Sequence, residues 1–229
     1  MRQLSKGSTR PFACSINAVL KCDCDEAPQG TYNELVAVRL AQTLHVPIAN
    51  GLMTDRGGED AFASLHIGHS DVKLPPIKQY QHRAVAYRYP EEVAALTAFD
   101  IFIGNVDRHQ NFIASLVTAY LIFGGIDHGM SLLNVETEPT RSLARLRSRE
   151  LIVNHHPFYQ LVEGARLTAW AARISAADPR DIQECCRCTT PVGSVPVNLQ
   201  QELAEALLSR QRQLPEIISI NLRRPIAAT

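Results

Sequence analysis

The sequence lacks an excess of charge of either sign, because 23 lysines and arginines are matched by 23 aspartates and glutamates among 229 residues. Proteins that bind nucleic acids or membrane surfaces in a general way need a clustered positive field. The bulk composition does not supply one. We therefore expect no direct nucleic-acid binding and no membrane partner.

Long apolar runs are missing as well. The most apolar stretch, residues 115–126, has about half of the roughly 20 residues that a membrane-spanning helix requires, and Thr118 interrupts it. The first seven residues show no apolar segment typical of a secretory signal. These absences predict a cytoplasmic chain with reduced cysteines, long enough to bury the core of one domain.

Cysteine is scarce and unevenly placed. The six cysteines form two groups, Cys22-x-Cys24 and Cys185-Cys186-x-Cys188, with Cys14 apart from both. Adjacent cysteines cannot easily both turn onto one metal ion. The grouping therefore favours ordinary reduced thiols over a structural zinc site.

Apolar periodicity divides the chain into two unlike halves. The first half predicts a β-meander over residues 1–28, a helix over 31–44, and strands over 47–53 and 61–67 joined by a turn at 55–58. The segment 68–89 has two prolines and no clear period, which predicts a connector. The second half predicts a helix from Pro90 to Ile103, short strands at 112–116 and 119–123, and helices at 157–175, 178–186 and 197–213. The expected fold class is α+β, with a β-rich first half and a mainly helical second half.

The loop that follows the helix ending at Ile103 carries the strongest chemical signal. It reads Gly104-Asn105-Val106-Asp107-Arg108-His109-Gln110-Asn111, and the strands after it lead to Asp127-His128-Gly129. Phosphoryl transfer needs a carboxylate near the attacking group and separate oxygen ligands for the magnesium that neutralises the phosphates. An aspartate, a nearby asparagine and a second aspartate after a hairpin supply that set.

These motifs resemble the HipA family of serine/threonine kinases and, more distantly, the phosphoinositide kinases. The resemblance implies one two-lobed kinase-like domain over 1–229, with an N-lobe at 1–75, a C-lobe at 76–229, and ATP and Mg²⁺ between them. It implies that Asp107 is the catalytic aspartate, that Asn111 and Asp127 bind magnesium, and that Arg108 and His109 support the catalytic loop. The family pattern has two residues between the histidine and the asparagine, whereas only Gln110 lies between them here.

The first half contains the remaining parts that a kinase needs, in the expected order. A phosphate-binding loop would lie at Gly7, Ser8 and Thr9. Lys21 ends an apolar strand, and Glu34 lies in the first turn of the next helix, where it could hold that lysine. Each residue alone is more typical of a solvated surface charge or a helix-dipole partner. The downstream loop favours the kinase interpretation.

The predicted reaction is transfer of the γ-phosphoryl group of ATP to a hydroxyl of an unidentified acceptor protein. The resemblance also raises the prospect of autophosphorylation at Ser8 or Thr9 and of an antitoxin partner. Two alternatives stay open. One is a pseudokinase-like nucleotide-binding module, and the other is a metal-dependent phosphohydrolase that uses Asp107, His109, Asp127 and His128.

Three further features have two interpretations each. His155 and His156 could be metal ligands, but a pair of histidines in a loop is more often solvated. The arginines between 141 and 149 suit a solvated helix face better than a site for an acidic or RNA-bearing partner. Trp170, within a predicted helix, is most simply a core residue.

Overall fold

The computed structural model describes residues 16–68, 74–117, 119–153 and 155–222 with their side chains, and residues 2–3 and 12–13 by their backbone. In the first half, β1 (Arg2–Gln3) pairs antiparallel with β2 (Phe12–Ala13). A second, three-stranded antiparallel sheet contains β3 (Ala18–Lys21), β4 (Gly51–Arg56) and β5 (Glu59–Leu65), with β5 in the centre. Lys21 lies opposite the buried Phe62 at the end of its strand.

The hairpin of β4 and β5 differs from the predicted strands at 47–53 and 61–67. Its turn consists only of Gly57 and Gly58, which have φ angles of 67° and 91°. Asp55 pairs across the ladder with Asp60 and so belongs to a strand. The prediction placed Asp55 in the turn because aspartate is depleted in strands. At this exposed end of the hairpin, an aspartate in a strand costs little stability.

The helix predicted at 31–44 is present as α1 (Gly30–Leu44). The Asp23 carboxylate accepts a hydrogen bond of 2.8 Å from the Thr31 amide at its start, and His45 ends it in the left-handed conformation. Twelve of its 15 residues are buried. The helix therefore lies inside the molecule, in contact with the three-stranded sheet and with the helix at Pro179–Cys186.

The segment 68–89 is not the irregular connector that the sequence predicted throughout. A 3₁₀ turn at Gln79–Gln81 leads into α2 (His82–Arg88). The helix has only two turns, which is too short for its buried positions, Val85 and Ala86 among them, to show a helical period. The next helix, α3 (Pro90–Ile103), matches its prediction, and Gly104 ends it with a φ of 66°.

The remaining elements follow in chain order. They are β6 (Phe112–Ala114), β7 (Phe123–Gly125), α4 (Pro139–Arg147), α5 (Gly164–Ser175), α6 (Pro179–Cys186) and α7 (Val197–Leu222), with a 3₁₀ turn at Leu132–Asn134 between β7 and α4. β6 and β7 pair antiparallel. The fold is α+β, with a small strand-rich first part and a mainly helical second part, as predicted.

In the second half, β6 ends at Ala114 rather than at 116, and three elements differ more from their predictions. The second strand lies at 123–125 rather than 119–123, because Gly124 and Gly125 are part of it. A Cβ on Gly125 would approach Leu96 Cδ1 to 2.7 Å, so close packing requires glycine there. Helix α5 starts at Gly164 rather than 157, because Phe158 packs in a loop with its ring 4.8 Å from that of Phe112. Helix α7 continues past 213.

The extension of α7 runs through Pro215 to Leu222. Proline normally ends or kinks a helix, which is why the prediction stopped before it. The buried residues Leu214, Ile217 and Ile218 continue the apolar face on both sides of the proline, so packing outweighs the lost hydrogen bond. Among the described residues, no helix is both long and apolar enough to cross a membrane.

Candidate active site

Three side chains predicted from distant parts of the sequence meet at one point. The Lys21 ammonium lies 2.5 Å from Glu34 Oε1 and 3.2 Å from Asp127 Oδ1. Exposure rises across the set, from 2% for the Glu34 side chain through 19% for Lys21 to 48% for Asp127. Glu34 therefore anchors the lysine from inside, and Asp127 presents its carboxylate to solvent.

Glu34 is ionised despite its burial. Burial raises the pKa of the Glu34 carboxyl, but hydrogen bonding and charge from His128 and Lys21 outweigh burial and hold the pKa well below its usual range. The same carboxylate accepts a hydrogen bond of 2.7 Å from the His128 amide. Burial lowers the pKa of the His128 ring, with a further contribution from Arg108, while the Glu34 carboxylate acts in the opposite direction.

Asp127 has a backbone conformation that residues other than glycine rarely adopt. Its φ is 58°, in the left-handed region, which is uncommon outside glycine and clusters at functional sites. The two neighbouring residues hold it there. The Ile126 amide donates to the Asn111 carbonyl over 2.9 Å, and the His128 amide donates to Glu34. The chain is thus fixed on both sides of a half-exposed carboxylate.

Asn33 has a role that the sequence analysis did not predict. Its side-chain amide donates to the carbonyls of Gly129 and Ser131 over 2.9 and 2.8 Å, and its Oδ1 accepts from the Leu133 amide over 3.3 Å. Asn33 and Glu34 therefore hold the segment 128–133 from consecutive positions of α1. A polar residue at a buried position of an apolar helix is the signal that could have revealed it.

The Asp107 loop is shaped by its own asparagines. Asn105 Oδ1 accepts from the Asp107 amide over 2.9 Å, and Asn111 Nδ2 donates to the Asp107 carbonyl and to Asp107 Oδ2 over 2.7 and 3.0 Å. Asp107 itself is exposed. The loop therefore presents a carboxylate to solvent while its backbone is fixed from both ends.

This loop is joined directly to the Asp127 segment. The Arg108 guanidinium donates to the carbonyls of both Asn111 and Ile126, and the Val106 amide donates to the Met130 carbonyl over 3.1 Å. The two segments are thus linked both before and after Asp127. The loops that carry the two predicted catalytic aspartates are neighbours in space.

Behind the loop lies a second, fully buried ionic cluster. Asp100 accepts from Arg108 Nε over 2.7 Å and Arg108 Nη2 over 2.9 Å, from Asn105 Nδ2 over 3.1 Å, and lies 3.1 Å from His156 Nε2. Burial raises the pKa of the Asp100 carboxyl, but Arg108 and His156 outweigh burial and hold it well below its usual range. Arg108 thus has the geometry of a structural support.

The buried cluster corrects one expectation. His155 is exposed, but His156 is buried against Asp100, so the prediction of two solvated histidines is wrong for His156. The sequence also did not identify Asp100, although a carboxylate within the apolar run of α3 was the available signal. His109 is exposed beside this cluster, and no hydrogen bond links it to a described residue. Gly7, Ser8 and Thr9 lie outside the described residues.

An apolar slot of about 320 Å³ opens between the end of β5, the connector and β6. Its lining residues come from all three segments and are mostly apolar: His66, Ile67, Leu74, Pro75, Pro76, Ile77, Phe112, Ile113 and Ala114. The slot has the apolar lining that a flat aromatic ring requires.

The other residues that the sequence analysis named have contacts typical of structural or surface residues. Cys185 and Cys186 are buried, and burial raises the pKa of both thiols. Among the described residues, no three His, Cys, Asp or Glu side chains are arranged to bind a metal on their own. Arg145, in α4, pairs with Glu136 and Glu150, and Arg149, just beyond the helix, pairs with Glu216 at the surface. Trp170 is half-buried at the edge of the core and donates to Glu91.

The fold, unlike the sequence, has known counterparts. No family model matches the sequence, and a search of curated proteins finds no match. The structure is similar to the Helicobacter pylori proinflammatory kinase CtkA, with a TM-score of 0.63 and 13% identity over 88% of this chain and 89% of that one. HipA from the HipA–HipB–operator DNA complex of Shewanella oneidensis MR-1 is more distant, with a TM-score of 0.49 and 14% identity over 82% of this chain and 57% of HipA. The likeness to CtkA confirms the kinase-like fold.

Proposed function

We propose that this chain is an ATP- and magnesium-dependent phosphotransferase, most similar in chemistry to the HipA-like serine/threonine protein kinases. The observation that carries the proposal is the position of Lys21 between the buried Glu34 and the half-exposed Asp127. A lysine held by an inner glutamate and facing an outer aspartate is the arrangement that positions ATP phosphates and their cation in kinases.

The nucleotide would lie between the two parts of the molecule. The apolar slot beside the connector suits the adenine ring. The Lys21 ammonium would bind the α- and β-phosphates, and the loop at Gly7, Ser8 and Thr9 would cover them with backbone amides. Since the lysine is already paired with Glu34, little side-chain freedom is lost when the phosphates bind.

The residues present fit a magnesium ion. Magnesium is usually bound through one or two carboxylates together with substrate phosphates and water. Asp127 offers a carboxylate that is 48% exposed. Asn111 directs its Nδ2 to Asp107, which leaves Oδ1 as its available ligand atom. The ion would neutralise charge on the phosphates as the γ-phosphoryl group transfers.

Asp107 would orient the acceptor hydroxyl and accept its proton. The acceptor oxygen forms a bond to the γ-phosphorus while the bond from that phosphorus to the β–γ bridging oxygen breaks, and ADP leaves. Arg108 positions Asp107 through the loop, since its guanidinium binds two loop carbonyls and Asp100. His109 would support the loop from its exposed side. Positioning and charge stabilisation supply most of the acceleration in such a site.

The acceptor is proposed to be a serine or threonine of a protein. The HipA resemblance of the motifs also suggests autophosphorylation at Ser8 or Thr9, and an antitoxin as a partner. The alternatives of a nucleotide-binding pseudokinase and a metal-dependent phosphohydrolase predict different products. The fate of the labelled phosphate, together with the Tm in MgATP, separates all three.

The experiment follows γ-labelled ATP with the wild type, Asp107→Ala and the control Asp181→Ala, which alters an exposed aspartate of α6. A kinase incorporates label into protein, and Asp107→Ala loses incorporation while Asp181→Ala keeps it. A pseudokinase binds MgATP, detected as a rise in Tm, without incorporation. A phosphohydrolase releases labelled phosphate without transfer. Incorporation by Asp107→Ala at the wild-type rate would refute the assignment of Asp107.

A further inference from the structure

A cavity of about 400 Å³ opens beside the Asp107 loop, and neither Lys21 nor Glu34 is among its lining residues. The loop contributes His109 to its wall, the 3₁₀ turn and the start of α2 form a second wall, and the segment 155–161 forms the third. Its lining residues are Gln79, Tyr80, His82, Arg83, His109, His155, His156, Pro157, Gln160 and Leu161. This cavity therefore begins two residues from the proposed catalytic aspartate.

The lining has an unusual charge. It contains one arginine and four histidines and no carboxylate. Arg83 is exposed and forms no ion pair or hydrogen bond with any described residue. By contrast, Arg145, Arg149 and Arg166 all pair with glutamates. Within the described part of the chain, Arg83 is thus a cation without a partner at the edge of a polar cavity.

A second cavity of about 510 Å³ continues the first along α2. The two share Arg83, Gln160 and Leu161, and the second extends to Pro90 and Arg166. Together they form a groove between α2 and the segment 155–166, which we call the α2 groove. Helix α2 has seven residues and is about 10 Å long, so the groove matches about three residues of extended polypeptide.

Two tyrosines stand beside the groove almost fully in solvent. Tyr80 is 83% exposed and Tyr87 is 90% exposed. Tyrosine is enriched in protein interfaces, because its ring contributes apolar contact and its hydroxyl contributes hydrogen bonds at a low entropy cost. A partner polypeptide in the groove would cover both rings.

The groove is rigidly connected to the catalytic loop. His156 lines the cavity and also lies 3.1 Å from Asp100, the carboxylate that holds Arg108. His82 packs edge-on against Phe112, 5.6 Å between ring centroids, and so links the opposite wall to β6. A peptide bound here would be held at a fixed position relative to Asp107.

We propose that the α2 groove binds the acceptor polypeptide in an extended conformation, with an acidic residue of that polypeptide paired to Arg83. The proposal rests on the proposed function, because it names the acceptor class of the same site. At the far end of the groove, Arg166 already pairs with Glu163 and Glu91, so that end offers no spare positive charge to the phosphodiester backbone of RNA, whereas a polypeptide needs only one acidic contact at Arg83. The charge pattern therefore favours an acidic protein segment over RNA.

Fluorescence anisotropy with the full chain tests the groove without nucleotide or catalysis. The probes are three fluorescein-labelled nine-residue peptides with a central serine, flanked by Glu, Gln or Lys at the same positions. We expect the Glu peptide to bind about tenfold more tightly than the Gln peptide, the effect of one charge-assisted hydrogen bond. Arg83→Ala reduces that ratio to less than about twofold. Arg83→Glu shifts the preference to the Lys peptide.

Arg141→Ala is the matched control, because Arg141 is also an exposed helical arginine but lies in α4, away from the groove. It keeps the tenfold preference. Equal binding of the Glu and Gln peptides, or an unchanged preference in Arg83→Ala, would overturn the proposal. So would tighter binding of a labelled nine-nucleotide RNA that is lost in Arg83→Ala. If wild type prefers the Glu peptide but neither binds MgATP nor phosphorylates that peptide, the proposed function fails, and the α2 groove is then a site for acidic peptides rather than for an acceptor.

Discussion

Two ionic clusters lie beside the Asp107 loop. They contain similar residues but differ in how far they are exposed to solvent. In the cleft cluster, Glu34 and Asp127 hold Lys21, and exposure rises outward to 48% at Asp127. In the buried cluster, Asp100 holds Arg108 and His156, and all three side chains are fully buried. The first cluster is open on one side, whereas the second is closed.

The difference shows how exposure decides what an ion pair can do. A buried pair is stable only when its remaining hydrogen bonds are satisfied, and Asp100 accepts from Arg108 and Asn105 while it also contacts His156. No ligand can enter such a cluster, so it fixes the loop. The Asp127 carboxylate has an open side, where we propose that a phosphate-bound cation binds. Changes to the cleft cluster should therefore alter activity, and changes to the buried cluster should alter stability.

The largest effect is expected on activity from the cleft cluster. Asp127→Asn removes the charge of the proposed magnesium ligand and should reduce phosphoryl transfer by about 10²–10³-fold. It should change the free energy of unfolding by less than about 1 kcal/mol, because the carboxylate is half-exposed and asparagine also adopts the left-handed conformation of this position. Turnover of labelled ATP and urea unfolding measure the two quantities. If the variant lost much stability but kept full activity, the cleft cluster would have the structural role that we assign to the buried cluster.

The buried cluster should give the largest effect on stability. Asp100→Asn leaves the Arg108 charge buried without its counterion and should lower the free energy of unfolding by about 3–5 kcal/mol. Urea unfolding followed by tryptophan fluorescence measures it. The control Asp181→Asn changes an exposed helix-end aspartate and should cost less than about 1 kcal/mol. Equal effects of the two variants would show that the cluster does not fix the loop.

Both clusters also predict an acid limit to stability. The pKa values of Glu34 and Asp100 are lowered in the folded state, so their contribution is present above the ordinary values of 4.5 and 3.8 and is lost as the pH falls below them. The lowered pKa of His128 adds a loss as the pH falls below 6.5. The free energy of unfolding should therefore be highest near neutral pH. Glu34→Gln should flatten its decline below pH 4.5, while the exposed control Glu202→Gln should not.

The smallest effect is expected at the protein surface. Arg149 pairs with Glu216, and both side chains are largely exposed. Arg149→Ala should change the free energy of unfolding by less than about 1 kcal/mol, because solvent and salt screen such pairs. Thermal unfolding at low and high salt measures it. A cost as large as that of Asp100→Asn would mean that burial does not separate the two classes of ion pair.

The sequence predicted the cleft cluster better than the buried one. Lys21, Glu34 and Asp127 lie in motifs whose order along the chain carries the chemistry, and the structure brings these three together. Asp100 and His156 carry no such motif, since their pairing depends on tertiary contacts over 56 positions of the chain. The roles of Asn33 and Asn105 are also set by carbonyls and amides that only the fold brings near.

The fold shows the same division. Helices with strong signals at their ends, such as α1 and α3, were predicted within one residue of their observed bounds. Helix α2 was missed because it is short, and β7 was displaced because glycine normally argues against a strand. In each case tertiary packing outweighed local preference. Gly125, for example, belongs to a strand because Leu96 leaves no space for a Cβ.

The central claim is that Lys21, held by Glu34, forms a MgATP site with Asp127, and calorimetric titration of MgATP tests it most directly. The comparison is between Lys21→Met and Lys78→Met, since Lys78 is an exposed lysine that is not among the lining residues of the slot. We predict that Lys21→Met weakens MgATP binding by about tenfold to a hundredfold, the loss of charge-assisted hydrogen bonds to phosphate, and that Lys78→Met leaves binding unchanged. Equal MgATP affinity in Lys21→Met and the wild type would contradict the account.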